Sequence, residues 1–249
     1  MTTIPILRVQ NVSQRFGKFQ ALNDISVDFE AGKLAAVIGP NGAGKSTFFN
    51  IVSGAFAPSS GRVVFKERDI TDLKPHAYAR LGIAKSFQIT NVFKNLTAHE
   101  NVRVAVQMRT TRFDLLTPRN KLGELSDHAD ALLERVGLYV SRMKPAGDLA
   151  HGQQRSLEVA MALACEPALL LMDEPTAGMS PEETGAMMGL IQSLSAERTV
   201  ILVEHKMKLV MGICDRLIVL HHGELLAQGT PDEIRANTDV RRVYLGSSN

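Results

Sequence analysis

Two segments near the start of the chain, 7–12 and 25–30, alternate between apolar and polar residues. This is the pattern of half-buried β-strands. A third strand candidate lies at 62–65. Antiparallel sheets commonly bury one face and expose the other, which suits such alternation. The pattern therefore predicts a small antiparallel sheet within the first part of the chain.

Four other runs are almost entirely apolar, which indicates strands buried on both faces of a parallel sheet. They lie at 34–38, 169–172, 199–203 and 217–220. Helical patterns separate these runs, at 48–52, at 153–165 and after Ser180-Pro181, and a last helix is predicted after Thr230-Pro231. This alternation predicts an α/β fold, a mainly parallel sheet with helices on both faces.

Residues 89 to about 148 have a different character. Residues 97–100, TAHE, form a capping box that predicts the start of a helix. The polar stretch 111–123 predicts a loop, and 129–136 predicts a second helix. We interpret this region as a helical subdomain inserted into the main domain. The predicted division is core, first part, at 1–88, helical subdomain at 89–165, and core, second part, at 166–249.

Composition excludes several classes of protein. The chain has 249 residues, 45% of them hydrophobic, enough for a large domain with a subdomain. Its formal charge of +2 argues against nucleic acid as a partner. No apolar run approaches the ~18 residues of a spanning helix, and the N-terminus lacks the features of a signal peptide. Cys165 and Cys214 have no metal-binding spacing and are expected to be free thiols in a cytosolic protein.

The strongest local signal is the segment 39–47, GPNGAGKST, which matches G-x-x-x-x-G-K-[ST] without a mismatch. Its glycines allow turns that expose backbone N–H groups to phosphate oxygens. Lys45 adds a positive charge for the β- and γ-phosphates, and Ser46 offers a hydroxyl to Mg²⁺. An apolar strand precedes the segment and a helix follows it. That order distinguishes a phosphate-binding loop from an incidental run of glycines.

Asp173 and Glu174 directly follow the apolar run 169–172, at a strand end where parallel sheets present ligands. Asp173 suits a ligand of Mg²⁺. If the strand continues, Glu174 points the other way, towards the γ-phosphate, and is the candidate general base for the attacking water. The alternative interpretation is a solvated acidic pair at the end of a strand.

Over residues 6–246 the chain resembles the ATP-binding subunits of ABC transporters. The motifs that carry this resemblance are, in order, the Walker A loop at 39–47, a glutamine loop at 86–88 (SFQ), a signature at 149–155 (LAHGQQR), Walker B at 169–174 and a switch histidine at His205. The resemblance implies a P-loop NTPase fold, with ATP and Mg²⁺ as cofactors. It also implies a dimer that sandwiches two ATP molecules, each between the Walker loops of one subunit and the signature of the other.

The resemblance implies a role for each residue of the site. The expected catalytic residues are Glu174, His205 and Gln88, and the expected Mg²⁺ ligands are Ser46, Gln88 and Asp173. The expected nucleotide-binding residues are Phe16, Asn41, Gly42, Ala43, Gly44, Lys45, Ser46 and Thr47. The signature residues expected to contact ATP of the opposite subunit are Ala150, His151, Gly152 and Gln153. Phe16 by itself could equally be an ordinary hydrophobic turn residue; the resemblance favours stacking on adenine.

The signature and the segment after Walker B depart from the commonest family pattern. Ala150 lacks the usual hydroxyl, His151 replaces a glycine, and the segment 177–180, AGMS, lacks the usual carboxylate. With the segment 204–211 and the closing 244–246, these features resemble the longer ATPase subunit of importers for branched-chain amino acids. An importer of urea, or of aromatic or other small acids, remains an alternative. So do a soluble ABC ATPase acting on nucleic acid or ribosomes and, less favoured, a P-loop kinase or GTPase.

The implied partners are permease subunits, a second ATPase subunit in a homo- or heterodimer, and indirectly a solute-binding protein. The expected location is the cytoplasmic face of the membrane, reached through the permease. No nucleic-acid partner is expected.

Overall fold

The computed structural model describes residues 4–86, 92–110 and 119–245 of the chain. The strands are β1 (Pro5–Phe16), β2 (Phe19–Glu30), β3 (Leu34–Ile38), β4 (Ser60–Phe65), β5 (Arg68–Asp69), β6 (Ile83–Ser86), β7 (Leu169–Asp173), β8 (Thr199–Val203), β9 (Arg216–His221) and β10 (Glu224–Gly229). The helices are α1 (Lys45–Val52), α2 (Pro75–Leu81), α3 (Ala98–Thr110), α4 (Arg119–Arg135), α5 (His151–Leu163), α6 (Pro181–Ser195), α7 (Met207–Met211), α8 (Pro231–Ala236) and α9 (Thr238–Leu245).

The chain divides into two compact units. One contains residues 1–83, 168–174 and 191–249, and the other contains 84–167 and 175–190. Both units are therefore discontinuous in sequence. The domain boundaries expected from the sequence stay a prediction.

The predicted antiparallel sheet forms within the first unit. Its order among the described residues is β2-β1-β4-β5. The inward apolar residues of β1, Leu7, Val9 and Val12, are at most 1% exposed. On the outer side, Arg8 pairs with Asp28 across the sheet at 3.2 Å. The strand β5 has only two residues, too few for a periodic signal, and the sequence did not predict it.

The second sheet has the order β10-β9-β3-β8-β7-β6 in the part of the chain that the structure describes. The central strands β3, β8 and β7 pair in parallel, and every residue of each is buried, as the continuous apolar runs predict. The bounds predicted for β3 and β8 are confirmed. The strand β10 runs antiparallel to β9 and was not predicted, because its half-buried residues give no clear alternation.

One hydrophobic core joins the two sheets of the first unit through α1. Phe29 on β2 and Phe48 on α1 are at most 1% exposed, and their ring centroids lie 6.3 Å apart. This packing anchors α1, and with it the loop that precedes α1, against the parallel sheet. The ends of the central strands are thereby held next to the phosphate-binding segment.

Two predicted boundaries in the helices are wrong. The segment 111–123 was predicted to be a loop, but α4 begins at Arg119; residues 111–118 lie outside the described part. The polar residues at the start of α4 hid the helix, because an apolar face becomes regular only from Leu125 through Ala129 to Leu133, all buried. The helix that begins after Thr230 is also not the last one, because α9 follows it.

The predicted capping box at the start of α3 is confirmed. Glu100 Oε2 accepts the backbone N–H of Thr97 at 2.8 Å, and Thr97 Oγ1 accepts the backbone N–H of Glu100 at 3.1 Å. Two N–H groups that the helix itself leaves without partners are therefore satisfied.

We expect Thr97→Ala to lower the free energy of unfolding by about 1 kcal/mol, because it removes the acceptor for the Glu100 N–H. Thr97→Ser keeps the hydroxyl and should retain most of the stability. Urea unfolding followed by circular dichroism measures both variants. An equal loss for Ser and Ala would assign the effect to the methyl group instead of the cap.

Candidate functional site

The site lies at the carboxyl ends of three adjacent strands, β3, β8 and β7. The backbone N–H of Glu204, just after β8, donates to Val37 O of β3 at 3.3 Å. The backbone N–H of Glu174, just after β7, donates to Val203 O of β8 at 2.9 Å. The parallel register thus brings together the phosphate-binding segment, the Asp173-Glu174 pair and the Glu204-His205 pair, as expected for a ligand site of an open α/β sheet.

The loop 39–47 has a conformation that requires glycine at its end. Gly44 is the N-cap of α1, with φ +98°, in the range that residues with a β-carbon rarely adopt. A β-carbon placed on Gly44 would lie 2.7 Å from Leu22 Cδ2 and 2.8 Å from the backbone Ala21 O. The loop therefore packs against the chain too closely for any side chain at this position.

Lys45 holds the loop closed in this structure. Its Nζ donates to the carbonyl oxygens of Gly39 at 2.8 Å and Pro40 at 3.0 Å, and the residue is only 7% exposed. Burial lowers the pKa of Lys45 from its usual value, while the nearby carboxylates of Glu174 and Asp173 raise it in part. A cation in these surroundings is poised to exchange carbonyl partners for phosphate oxygens.

A hollow of about 250 Å³ opens over the loop. It is lined by Phe19, Ala21, Asn41, Gly42, Ala43, Gly44, Lys45, Ser46, Thr47 and Glu174. All seven loop residues predicted to bind nucleotide therefore line this hollow. Because small-molecule sites usually measure ~300–1,000 Å³, this hollow suits the phosphate end of a nucleotide better than the whole molecule.

Two aromatic residues differ in their relation to this hollow. Phe19, 65% exposed, lines it, and the sequence prediction did not include this residue. Phe16, three residues earlier, packs edge-on against Phe56 with ring centroids 5.9 Å apart. The segment FGKF offered two aromatic candidates, and only their positions around the hairpin turn separate them. Stacking of adenine on Phe16 stays a prediction.

Asp173 and Glu174 lie on either side of a sharp change in the backbone. Asp173 ends β7 and is 6% exposed. Glu174 has φ +45°, so the strand does not continue through it, contrary to the geometry assumed for its side chain. The left-handed conformation costs a non-glycine residue about 1–2 kcal/mol. Such strain at an acidic residue that lines a hollow is a common feature of functional sites.

His205 faces this acidic end of the sheet. Its Nδ1 lies 3.8 Å from Glu174 Oε1 and 3.9 Å from Glu204 Oε2. The three residues come from two strand ends that are about thirty positions apart in sequence. The structure thus joins two residues predicted to be catalytic, Glu174 and His205, and adds Glu204, for which the sequence suggested no role.

The signature residues surround the start of α5, in the second unit. Ala150 is the N-cap and carries no side-chain acceptor, so only half of a capping box forms: Gln153 Oε1 accepts the Ala150 N–H at 3.2 Å. The Gly152 N–H donates to the carboxylate of Glu183, whose pKa is lowered mainly by its bonds from Ser180 and also by Gly152. A β-carbon on Gly152 would lie 2.5 Å from Glu183 Oε1.

Two of the three departures from the family pattern, at His151 and in the segment 177–180, lie in contact. A β-carbon on Gly178 would lie 3.3 Å from His151 Cε1, so the imidazole packs directly over this glycine. His151 replaces the usual glycine of the signature, and Gly178 lies in the segment that lacks the usual carboxylate. Glu183, which the sequence suggested only as a helix-start residue, brings a carboxylate to the same place.

Gln88, predicted to contact Mg²⁺ and the attacking water, lies outside the described residues. The other two predicted Mg²⁺ ligands fit a hard cation. Ser46 supplies a hydroxyl in the hollow, and the charge of Asp173 acts on Lys45 of the same loop. No group of three or more His, Cys, Asp or Glu side chains suited to a metal is found in the described ranges.

Both cysteines are free, as predicted. Within the described ranges, none of the helices combines the length and apolar character needed to cross a membrane.

Comparison with known proteins gives consistent matches. Residues 22–177 match the family model "ABC transporter", and residues 224–248 match "Branched-chain amino acid ATP-binding cassette transporter". The chain is 41% identical over 252 residues to the high-affinity branched-chain amino acid transport ATP-binding protein LivG of Salmonella typhimurium, covering 98% of this chain and 99% of LivG. It is 41% identical over 253 residues to BraF of Pseudomonas aeruginosa, a protein of the same description, with the same coverage.

Solved structures agree with this assignment. The ADP conformation of MJ1267, an ATP-binding cassette of an ABC transporter, superposes with a TM-score of 0.85 at 29% identity, covering 98% of this chain and all of that one. A nucleotide-free cassette from an ABC transporter gives 0.84, also at 29% identity, covering 97% and 99%.

Proposed function

Because the chain belongs to the ABC transporter family of ATP-binding proteins, we propose that it is the ATP-hydrolysing subunit of an importer for branched-chain amino acids. The observation that carries the proposal is the 41% identity to LivG and BraF over 98% of the chain. The match at residues 224–248 to a segment named for branched-chain amino acid transport supports the choice of solute.

Binding begins with the phosphates. The backbone N–H groups of the loop 39–47 and the positive end of α1 attract the triphosphate. Lys45 then exchanges the carbonyls of Gly39 and Pro40 for β- and γ-phosphate oxygens. Ser46 and Asp173 would hold Mg²⁺, which neutralises phosphate charge when bound. The adenine ring of ATP extends beyond the 250 Å³ hollow towards the exposed aromatic residues of the β1–β2 turn.

Hydrolysis uses the acidic end of the sheet. Glu174 accepts the proton of the attacking water as the general base. His205 donates a hydrogen bond to the γ-phosphate, and Lys45 stabilises the charge that develops on it. Fixed charges and hydrogen bonds of this kind are usually the largest contribution to catalysis. Gln88 is proposed to sense the γ-phosphate for the helical subdomain.

The signature is proposed to complete the ATP site of a second ATPase subunit. The start of α5 would offer backbone N–H groups, including that of Gly152, to the opposite γ-phosphate. In the single chain this N–H is bonded to Glu183, so the Glu183 carboxylate must move before ATP takes its place. Closure of the dimer would then drive permease subunits at the cytoplasmic face of the membrane, which receive solute from a binding protein.

Uptake measurements test the proposal in cells of the source organism that lack this chain. We expect the wild-type chain to restore uptake of radiolabelled leucine, and the Glu174→Gln variant not to restore it. Affinity purification from detergent-solubilised membranes should recover permease subunits and an ATPase partner. If the chain restored uptake of urea or benzoate but not of leucine, that compound would replace branched-chain amino acids as the assigned solute. Recovery of soluble partners alone would overturn the proposal that the chain is part of an importer.

A further inference from the structure

Glu204 is buried completely at the centre of the site, with 0% exposure. It directly follows β8, whose neighbours β3 and β7 carry the phosphate-binding loop and Asp173-Glu174. The backbone bond from Glu204 N–H to Val37 O fixes its place between them. A carboxyl group without solvent is tolerated only where hydrogen bonds or opposite charge stabilise it. The groups that contact the Glu204 carboxylate therefore indicate its role in the site.

The contacts of Glu204 lead to His205. Glu204 Oε2 accepts the backbone N–H of His205 at 3.2 Å and lies 3.9 Å from Nδ1 of its ring. Glu174 Oε1 lies 3.8 Å from the same nitrogen. One edge of the imidazole therefore faces two carboxylates. A hydrogen on Nδ1 is favoured there, because an N–H is attracted to carboxylate oxygens that would repel a lone pair.

The two carboxylates differ in solvent exposure and in the role proposed for each. The Glu174 side chain is 28% exposed and has its own proposed task as the base, whereas that of Glu204 is inaccessible to solvent. A group that accepts a proton in each turnover cannot also hold a ring in a constant orientation. Glu204 is held in place by the sheet, so it is the better candidate for holding the His205 ring in one orientation.

We propose that Glu204 is a positioning residue for ATP hydrolysis. Its carboxylate accepts the Nδ1–H of His205 and fixes the ring. When ATP is bound, the ring carries hydrogen on both nitrogens, and Nε2–H donates to the γ-phosphate. This inference rests on the proposed function, because His205 acts only if ATP is bound and hydrolysed. Glu204 acts on hydrolysis through His205 and does not itself contact the nucleotide.

A double-mutant cycle of Glu204→Gln and His205→Ala tests the proposal in the full-length chain. Glutamine keeps an oxygen for the His205 backbone N–H, removes the negative charge and replaces the second carboxylate oxygen by an NH₂ donor. We expect Glu204→Gln to lower kcat about tenfold in the wild-type background, with KM changed less than about twofold. In the His205→Ala background it should change kcat by less than about twofold, because the residue it orients is absent.

Glu197→Gln is the matched control. Glu197 lies just before β8, at the opposite end of the same strand, and its side chain is 55% exposed. Its variant should keep the wild-type kcat. Glu204→Asp retains a carboxylate and should regain part of the activity lost in Glu204→Gln; it also serves if the glutamine variant does not fold. An equal loss from Glu204→Gln in both backgrounds would overturn the proposal in favour of a purely structural role.

A spectroscopic measurement separates this inference from the proposed function. Imidazole ¹⁵N signals report which ring nitrogen carries hydrogen, and the His205 signal is identified by its loss in His205→Ala. With a nonhydrolysable ATP analogue bound, we expect hydrogen on both nitrogens in the wild type and its loss from one in Glu204→Gln. Identical spectra would overturn the positioning role. A wild-type chain that gives the expected spectra with the analogue but does not hydrolyse ATP would instead count against the proposed function.

Discussion

Glu174→Gln is expected to bind ATP with an affinity within about twofold of the wild type and to lose nearly all turnover. The amide has the shape of the carboxylate but cannot accept a proton from water. A positioned general base contributes about 10²–10⁴-fold, so kcat should fall by at least that factor. The backbone bond from residue 174 to Val203 O stays available, and the fold should be retained. Phosphate release and binding of a fluorescent ATP analogue measure the two effects.

Glu166→Gln is a close control for this substitution. Glu166 also has a left-handed backbone, with φ +43° against +45° for Glu174, but it lies outside the site. The same chemical change in the same conformation should leave kcat unaltered. If Glu174→Gln retained turnover, another group would have to take the proton, and Glu174 would lose its assigned role.

Gly44→Ala is expected to reduce ATP affinity about 10- to 100-fold, because each lost hydrogen bond to a charged group costs about 1.5–3 kcal/mol. The added β-carbon would lie 2.8 Å from the backbone Ala21 O, and main chain cannot turn aside as a side chain does. The loop must shift, and with it the N–H groups that bind phosphate. Titration with a fluorescent ATP analogue measures affinity, and urea unfolding measures stability.

Gly32→Ala separates this collision from backbone strain. Gly32 also has a left-handed conformation, φ +68°, but a β-carbon there would meet nothing within 4 Å. This variant should lose about 1–2 kcal/mol of stability from strain alone and keep its ATP affinity. If Gly44→Ala bound ATP as tightly as Gly32→Ala, the loop would be able to absorb a side chain.

The phosphate-binding loop and the buried strands could be predicted because their signals are local. The glycine spacing of 39–47 reflects backbone angles that only particular positions require, and a strand buried on both faces must be apolar throughout. The bounds of β3 and β8 follow from this. The capping box at Thr97 was predictable for the same reason, since both of its bonds join residues three apart.

Segments with weak or mixed hydrophobic patterns were predicted less well. The first turns of α4 are polar and predict a loop, although Leu125, Ala129 and Leu133 bury one face further along the helix. The strand β10 is half-buried and has no regular alternation, so only its pairing with β9 identifies it. In both segments, neighbours in space supply the stability that the local sequence does not reveal.

The sequence by itself determined the kind of chemistry: a phosphate-binding loop, an acidic strand end and a histidine that follows a buried strand. Only the tertiary structure decided which of these groups meet. Parallel pairing of β7 and β8 places His205 between Glu174 and Glu204, and the loop after β7 folds back so that Glu183 meets Gly152. Strand order and register set these contacts, and they depend on pairings between segments far apart along the chain.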